Sequence, residues 1–361
     1  MGFGEGTMEN LVTLSDHFRG KKVLVTGHTG FKGSWLCKIL DILGSDVYGY
    51  SLKPPTDPNL YELINADSFV HSKYADVRDI RSMEDFFSEI QPDIVIHMAA
   101  QPLVRDSYKD PRYTYETNVM GTVNVLECVR SNDCVKSFLN VTTDKVYENR
   151  EWDYGYREID PLSGHDPYSN SKSCSDIITS SYRKSFFADG RCAISTARAG
   201  NVIGGGDFAF ERIIPDCVRA AYSGTPIRLR NPSSIRPYQH VLEPLFGYLW
   251  IVKCQSENIK KAGSYNIGPE YSDCITTGEL ATMFCDMWGR GLKWEGTKEN
   301  GPHEATFLKL DNSLLKSRIG FSPKWNIKKA VKKTVEWTEV WVNDGDVTGC
   351  MESQIEEYAG E

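Results

Sequence analysis

A glycine-spaced turn between a short apolar run and a long amphipathic one constrains this chain most. Val23-Leu24-Val25-Thr26 leads directly into Gly27-His28-Thr29-Gly30-Phe31-Lys32-Gly33, after which apolar residues recur at Trp35, Leu36, Ile39, Leu40 and Leu43. A β-branched run, a tight turn and a helical period in that order predict a strand, a loop and a helix laid back on the strand. Glycines three apart let the backbone turn sharply and approach a pyrophosphate, while the helix start offers unpaired N–H groups and a positive dipole end. Gly27, Thr29, Gly30, Phe31, Lys32 and Gly33 are therefore candidate contacts to a dinucleotide.

The alternation continues. Val47 to Tyr50 reads as a second strand, a helix runs through Met83, Phe86, Phe87 and Ile90, and Ile94-Val95-Ile96 is a further strand. A helical stretch over 113–130, a strand at Phe138 to Val141, a helix over about 168–187 and a strand at Ala193 to Ala197 follow. Such alternation implies right-handed crossovers and an α/β fold with a doubly wound parallel Rossmann sheet, here over residues 19–200. Beyond Asn201 glycines, prolines and arginines punctuate shorter segments, with helices near 241–256, 276–287 and 325–342. Residues 201–345 are expected to form mainly a smaller α/β substrate lobe over the carboxyl ends of the strands, with segments returning to the first domain. Residues 1–18 and 346–361 read as tails, the first of them flexible.

Bulk composition narrows the partners. The 361 residues carry a formal net charge of -8, which offers no electrostatic pull on nucleic acid. An anionic ligand would need local arginines and amides. The ten cysteines form no C-x-x-C pair and lie mostly in apolar runs, so no metal or disulfide framework is expected. His240 and His303 lack companions at ligand spacing. No apolar run approaches the roughly 18–20 residues a bilayer requires, and the N-terminus lacks the pattern of a signal peptide; the expected location is the cytoplasm, with no membrane partner.

Tyr168 and Lys172 stand four apart at the start of a predicted helix and share a face. An ammonium beside a phenol lowers its pKa from about 10 towards neutrality, which suits a base acting on a hydroxyl. The second strand ends Tyr50-Ser51-Leu52-Lys53 without the carboxylate that would grip the ribose of NAD. NADP thus stays open beside NAD, with Lys53 able to meet a 2′-phosphate. Asp76 and Val77, after another strand, are candidate adenine contacts.

Taken together, the chain resembles the extended short-chain dehydrogenase/reductase family over roughly residues 20–340. The resemblance rests on GHTGFKG (27–33), HMAAQP (97–102), TNVMGT (117–122), TTDKVY (142–147), YSNSK (168–172) and RAGNVIG (198–204), in that order. Thr143-Asp144-Lys145 resembles the CDP-glucose branch of the family's nucleotide-sugar 4,6-dehydratases, as do AAQPLVRDSY (99–108), YREIDPLSGHDPYS (156–169) and IRPYQHV (235–241). Tyr238 departs from the branch, which has Trp there. The resemblance implies an NAD-dependent lyase that turns a nucleotide diphosphate sugar into its 4-keto-6-deoxy form.

It also implies roles. Tyr168 would take the proton of the sugar 4-hydroxyl while C4 gives up a hydride, with Thr143 bonded to the 4-oxygen. The 4-ketone acidifies the C5 hydrogen, Lys145 would remove it, and Asp144 would protonate the leaving 6-hydroxyl. The hydride then returns to C6. A lysine acts as base only as the neutral amine, so the reading asks that Lys145 be buried. Asp144 must carry a proton, which a dry site favours and the Lys145 cation opposes. Ala99, Ala100, Gln101 and Asn118 are implied cofactor contacts or supports, His97 a structural residue, and Asn201, Arg212, Arg236 and Asn266 grips on the substrate. The helices over 113–130 and 168–187 imply a homodimer, or a tetramer built from it. Open alternatives are a dehydratase of GDP-mannose, dTDP-glucose or UDP-glucose, a 4-epimerase, and a cofactor-binding protein without chemistry.

Overall fold

The computed structural model describes residues 9–297 and 307–361; His303 lies outside them. Seven strands form one sheet: β1 (Lys22–Thr26), β2 (Asp46–Ser51), β3 (His71–Tyr74), β4 (Ile94–His97), β5 (Ser137–Thr143), β6 (Ala193–Ala199) and β7 (Ser264–Ile267). They lie in the order β7-β6-β5-β4-β1-β2-β3, and every neighbouring pair is parallel. The direction of winding reverses between β1 and β4, where Thr26 is registered with His97, and it is outside the carboxyl ends at such a reversal that open sheets bind ligands.

β4, β5 and β6 are buried at every residue, as expected for parallel strands covered on both faces. β3 is an edge strand whose His-Ser-Lys-Tyr is mostly exposed, so no apolar pattern announces it. The stretch predicted as one helix is Pro111–Tyr115, a wide π turn at Glu116–Met120, and Gly121–Ser131. The helix Pro167–Phe186 starts on an Asp166 cap that accepts from the Ser169 amide at 2.9 Å, with Pro167 in the first turn.

The small lobe is built on helices Ile213–Ser223, Thr277–Trp288 and Ile327–Val342, which meet through Ile214, Cys217, Leu280, Phe284, Val331 and Val335. The helix Leu242–Glu257 belongs instead to the main core, with Leu245, Leu249 and Val252. Both expected tails need correction. Glu9–Phe18 is a helix that buries Leu14 and Phe18, and Val347–Gly360 is a helix that buries Val347, Met351, Ile355 and Tyr358. Their apolar positions fall at helical spacing, but intervening charges and glycines obscure the stripe. All ten cysteines are unpaired. No described helix is long and apolar enough to cross a membrane, and the described residues hold no group of three metal-ligating side chains.

Candidate active site

A cavity of about 1270 Å³ opens at the carboxyl ends of β1, β2, β4, β5 and β6 and is closed on its far side by the small lobe. The glycine turn forms one wall. Gly27 has φ +76°, and a Cβ on it would lie 2.8 Å from the Ala99 amide nitrogen; one on Gly33 would lie 2.2 Å from the Gly27 carbonyl oxygen. Only glycine permits that approach of backbone to backbone. Thr29 fastens the turn to the end of β2, its Oγ1 donating to the Leu52 carbonyl at 2.9 Å and standing 3.0 Å from Ser51 Oγ. The helix Phe31–Ile42 begins at Gly30 with no side-chain cap, which leaves its first amides for another acceptor.

Lys32 belongs to this wall. Its Nζ donates to the Tyr248 hydroxyl at 2.7 Å. Burial, reinforced by the nearby Lys172 and Arg212 cations and opposed by Asp144, pulls its amine down to about 7.

The reacting groups converge from β5 and the Asp166-capped helix. Asp144 is fully buried; its Oδ1 accepts from Thr143 Oγ1 at 2.9 Å and lies 3.5 Å from Lys145 Nζ, while its Oδ2 has no partner. A Cβ on Gly200 would lie 2.8 Å from that Oδ2, so a glycine there makes room for the carboxylate. The burial expected of Lys145 is incomplete, because its side chain stays 31% exposed beside the cavity.

Burial pushes the Tyr168 phenol up to about 12, against a hydrogen bond with Thr143 and the Arg212 cation, which pull it down. The expected agent, Lys172, is engaged elsewhere: its Nζ donates to the Val141 carbonyl at 2.9 Å, and burial lowers its own amine to about 8. Helical spacing puts the two residues on one face but does not aim the ammonium, and a buried carbonyl at the end of β5 claims it. Arg212 is held by Asp207 at 3.1 Å.

Asp76, Val77, Ala99, Ala100, Gln101, Asn201, Arg212 and Arg236 all line the cavity. Asn118 and Asn266 do not. Asn118 is fully buried, accepting from the Gln101 amide at 2.8 Å and donating to the Gln101 carbonyl at 3.0 Å and Ser171 Oγ at 2.9 Å. From the π turn it pins the loop after β4 to the Tyr168 helix. Asn266 faces away, donating to the Tyr156 and Asp311 carbonyls and accepting from the Tyr147 hydroxyl. Its place in β7 commits the side chain to tying down the segment around Tyr156.

His97 is structural, bonded to Thr26 Oγ1 at 2.7 Å and Thr122 Oγ1 at 3.1 Å, with burial and the Lys172 cation lowering it to about 3. His240 packs between Trp35 and Trp325. Sequence reasoning passed over Thr117, whose buried Oγ1 is unpartnered in the cavity wall, and Arg105, Glu211 and Arg230 at the same cavity. Charged residues in loops, as Glu211 and Arg230 are, or on a helix as short as the one that carries Arg105, have no signature in sequence, although Arg105 lies within the AAQPLVRDSY segment.

This arrangement can be set beside known proteins. A family model described as GDP-mannose 4,6 dehydratase matches residues 24–334. The chain is 43% identical over 347 residues to a CDP-glucose 4,6-dehydratase of Salmonella typhimurium, covering 94% of this chain and 97% of that one. It is 26% identical to a dTDP-glucose 4,6-dehydratase of Escherichia coli, over 94% of this chain and 99% of that one. Among solved structures, a dTDP-glucose 4,6-dehydratase from Streptomyces venezuelae superposes with a TM-score of 0.76 at 22% identity, covering 90% and 99% of the two chains. An epimerase from Methanothermobacter thermautotrophicus reaches 0.79 at 20% identity, covering 93% and 98%; at such identities the likeness speaks for the fold. With the family model spanning most of its length, the chain belongs to the GDP-mannose 4,6 dehydratase family of nucleotide-sugar enzymes.

Proposed function

We propose that the chain is a CDP-glucose 4,6-dehydratase that forms CDP-4-keto-6-deoxy-glucose with NAD. The observation that carries this reading is the 43% identity to the Salmonella enzyme across 94% of the chain, joined to a Thr143-Asp144-Lys145 segment that lines the cavity beside Tyr168, within hydrogen-bond reach of Thr143. The cradle at Gly27 and Gly33, too close to other backbone for any side chain, supports a pyrophosphate there, with Thr29, Gly30, Phe31 and Lys32 beside it and Asp76, Val77, Ala99, Ala100 and Gln101 along the rest of the cofactor. Held there, NAD would supply reversible hydride chemistry to the sugar, as acceptor and then as donor.

The chain's own groups handle protons and position. Tyr168 removes the 4-hydroxyl proton, assisted by the Thr143 hydrogen bond and the Arg212 cation. Lys145, 3.5 Å from Asp144 Oδ1, passes its ammonium proton to that carboxylate; the amine so formed takes the C5 proton, and the carboxyl group, whose Oδ2 is buried and unpartnered, protonates the leaving 6-hydroxyl. Asn201, whose buried Nδ2 is unpartnered, and Arg212 and Arg236 hold the diphosphate. Met120, at the end of the π turn that leads into the helix Gly121–Ser131, and Ile177 and Phe186 on the helix Pro167–Phe186 stand exposed, which supports a homodimer through these two helices.

Incubation of the purified protein with CDP-glucose, dTDP-glucose, UDP-glucose and GDP-mannose, each with NAD and with NADP, tests the reading. Loss of water from CDP-glucose, seen by mass spectrometry together with the alkali-induced absorbance of the 4-keto sugar, is expected. Loss of water from another of the four instead would overturn the substrate, and inversion at C4 without loss of water would favour an epimerase.

A further inference from the structure

Three charged side chains meet at the rim of the cavity, and no role proposed above uses them. Arg105 rides on the short helix Val104–Lys109, which follows β4 in the larger domain. Arg230 follows the strand Ile227–Leu229 in the small lobe. Between them stands Glu211, one residue before Arg212. Its Oε1 lies 2.8 Å from Arg105 Nη1 and 3.8 Å from Arg230 Nη1, and its carbonyl accepts from Arg230 Nη2 at 3.3 Å. One carboxylate oxygen thus joins arginines from opposite sides of the cleft.

Two further observations bear on what this arrangement does. Glu211 has φ +62°, a left-handed backbone that disfavours a glutamate, so something besides local preference fixes it there. Arg105 Nε is buried and unpartnered, so the guanidinium has donor capacity that Glu211 leaves unused. All three residues line the cavity.

We infer that Glu211 is a latch: its carboxylate holds the position between Arg105 and Arg230 that an anionic group of the substrate takes, and the substrate binds by displacing it. A phosphate offers more acceptor oxygens than one carboxylate and satisfies guanidinium forks better, which accounts for the exchange running towards the bound state. The glutamate meanwhile prevents two arginines from facing each other unneutralised and screens the rim against smaller anions. The inference rests on the nucleotide-diphosphate reading of the cavity but not on its base or its chemistry.

The test measures binding rather than turnover. CDP, UDP, dTDP and GDP are titrated by calorimetry into the NAD-loaded protein as wild type, E211Q and E211G; the first variant removes the charge, and the second also suits the left-handed backbone. Thermal melts confirm that each is folded. For whichever nucleotide binds the wild type, both variants are expected to bind about tenfold more tightly. In an R105A background the gain from E211Q should shrink, because one of the two released arginines is gone. Equal or weaker binding in both folded variants, or no binding of any nucleotide to any of them, overturns the latch. Tighter nucleotide binding without dehydration of CDP-glucose would leave the latch standing and sink the proposed reaction, so the two failures are distinguishable.

Discussion

Tyr168 shows how far a side chain's chemistry depends on its neighbours. Its phenol sits high, at about 12, because the site is dry, and the groups that lower it are Thr143 and Arg212. A base must shed its proton to act, so activity should climb with pH along a limb set by this phenol. In Arg212→Ala the phenol loses a cation and rises further. The ascending limb of kcat against pH should therefore move to more alkaline values, and kcat at pH 7 should fall by about tenfold for each unit of displacement. A full pH–rate profile checks this; a raised KM with the limb unmoved would assign Arg212 to substrate grip alone. Arg212→Lys, which keeps the charge, should restore the limb in part.

Much at this scale was legible in the sequence, because short motifs fix which residues share a loop. The Gly27–Gly33 turn, the Thr143-Asp144-Lys145 segment, Tyr168, Asn201, Arg212 and Arg236 all reach one cavity. What the sequence did not carry was side-chain aim. Lys172 bonds the Val141 carbonyl, while Asn118 and Asn266 spend their amides on nearby backbone. A motif records that a residue is near; buried carbonyls decide where its donors go.

At the scale of elements, the central strands were readable because strands covered on both faces carry short buried apolar runs, such as Ile94-Val95-Ile96 in β4 and Phe138-Leu139 in β5, and the polar edge strand β3 does not. The two terminal helices escaped for a related reason, since their stripes are thin and their docking is tertiary. The C-terminal one is anchored at Glu243. This buried carboxylate accepts from the Trp325 amide at 2.7 Å, the Lys324 amide at 3.1 Å and the Tyr358 hydroxyl at 2.6 Å. Glu243→Ala leaves these donors buried without a partner and should cost about 3 kcal/mol of stability, read as a lower urea midpoint. Deleting the helix Val347–Gly360 should be more harmful than trimming a tail, because it uncovers Met351, Ile355 and Tyr358 together.

At the scale of the whole molecule, the sheet, its winding reversal and the covering lobe place cofactor cradle, acid–base groups and arginines around one cavity. The proposed two-fold contact would use the faces of the helices Gly121–Ser131 and Pro167–Phe186 turned away from it, where Ile177 is 52% exposed. Ile177→Asp buries a charge at that contact, so sedimentation velocity should show a dimeric wild type and a largely monomeric variant; a monomeric wild type would refute the contact.

In the proposed reaction one cavity moves a hydride from C4 of CDP-glucose to C6 as water leaves. This transfer is tested most directly by supplying the protein with CDP-glucose deuterated at C4 and reading the product by mass spectrometry and NMR. Internal hydride transfer should give a product lighter by one water that retains the deuterium, now on the C6 methyl. Deuterium lost to solvent, deuterium still on C4, or no loss of water would contradict it.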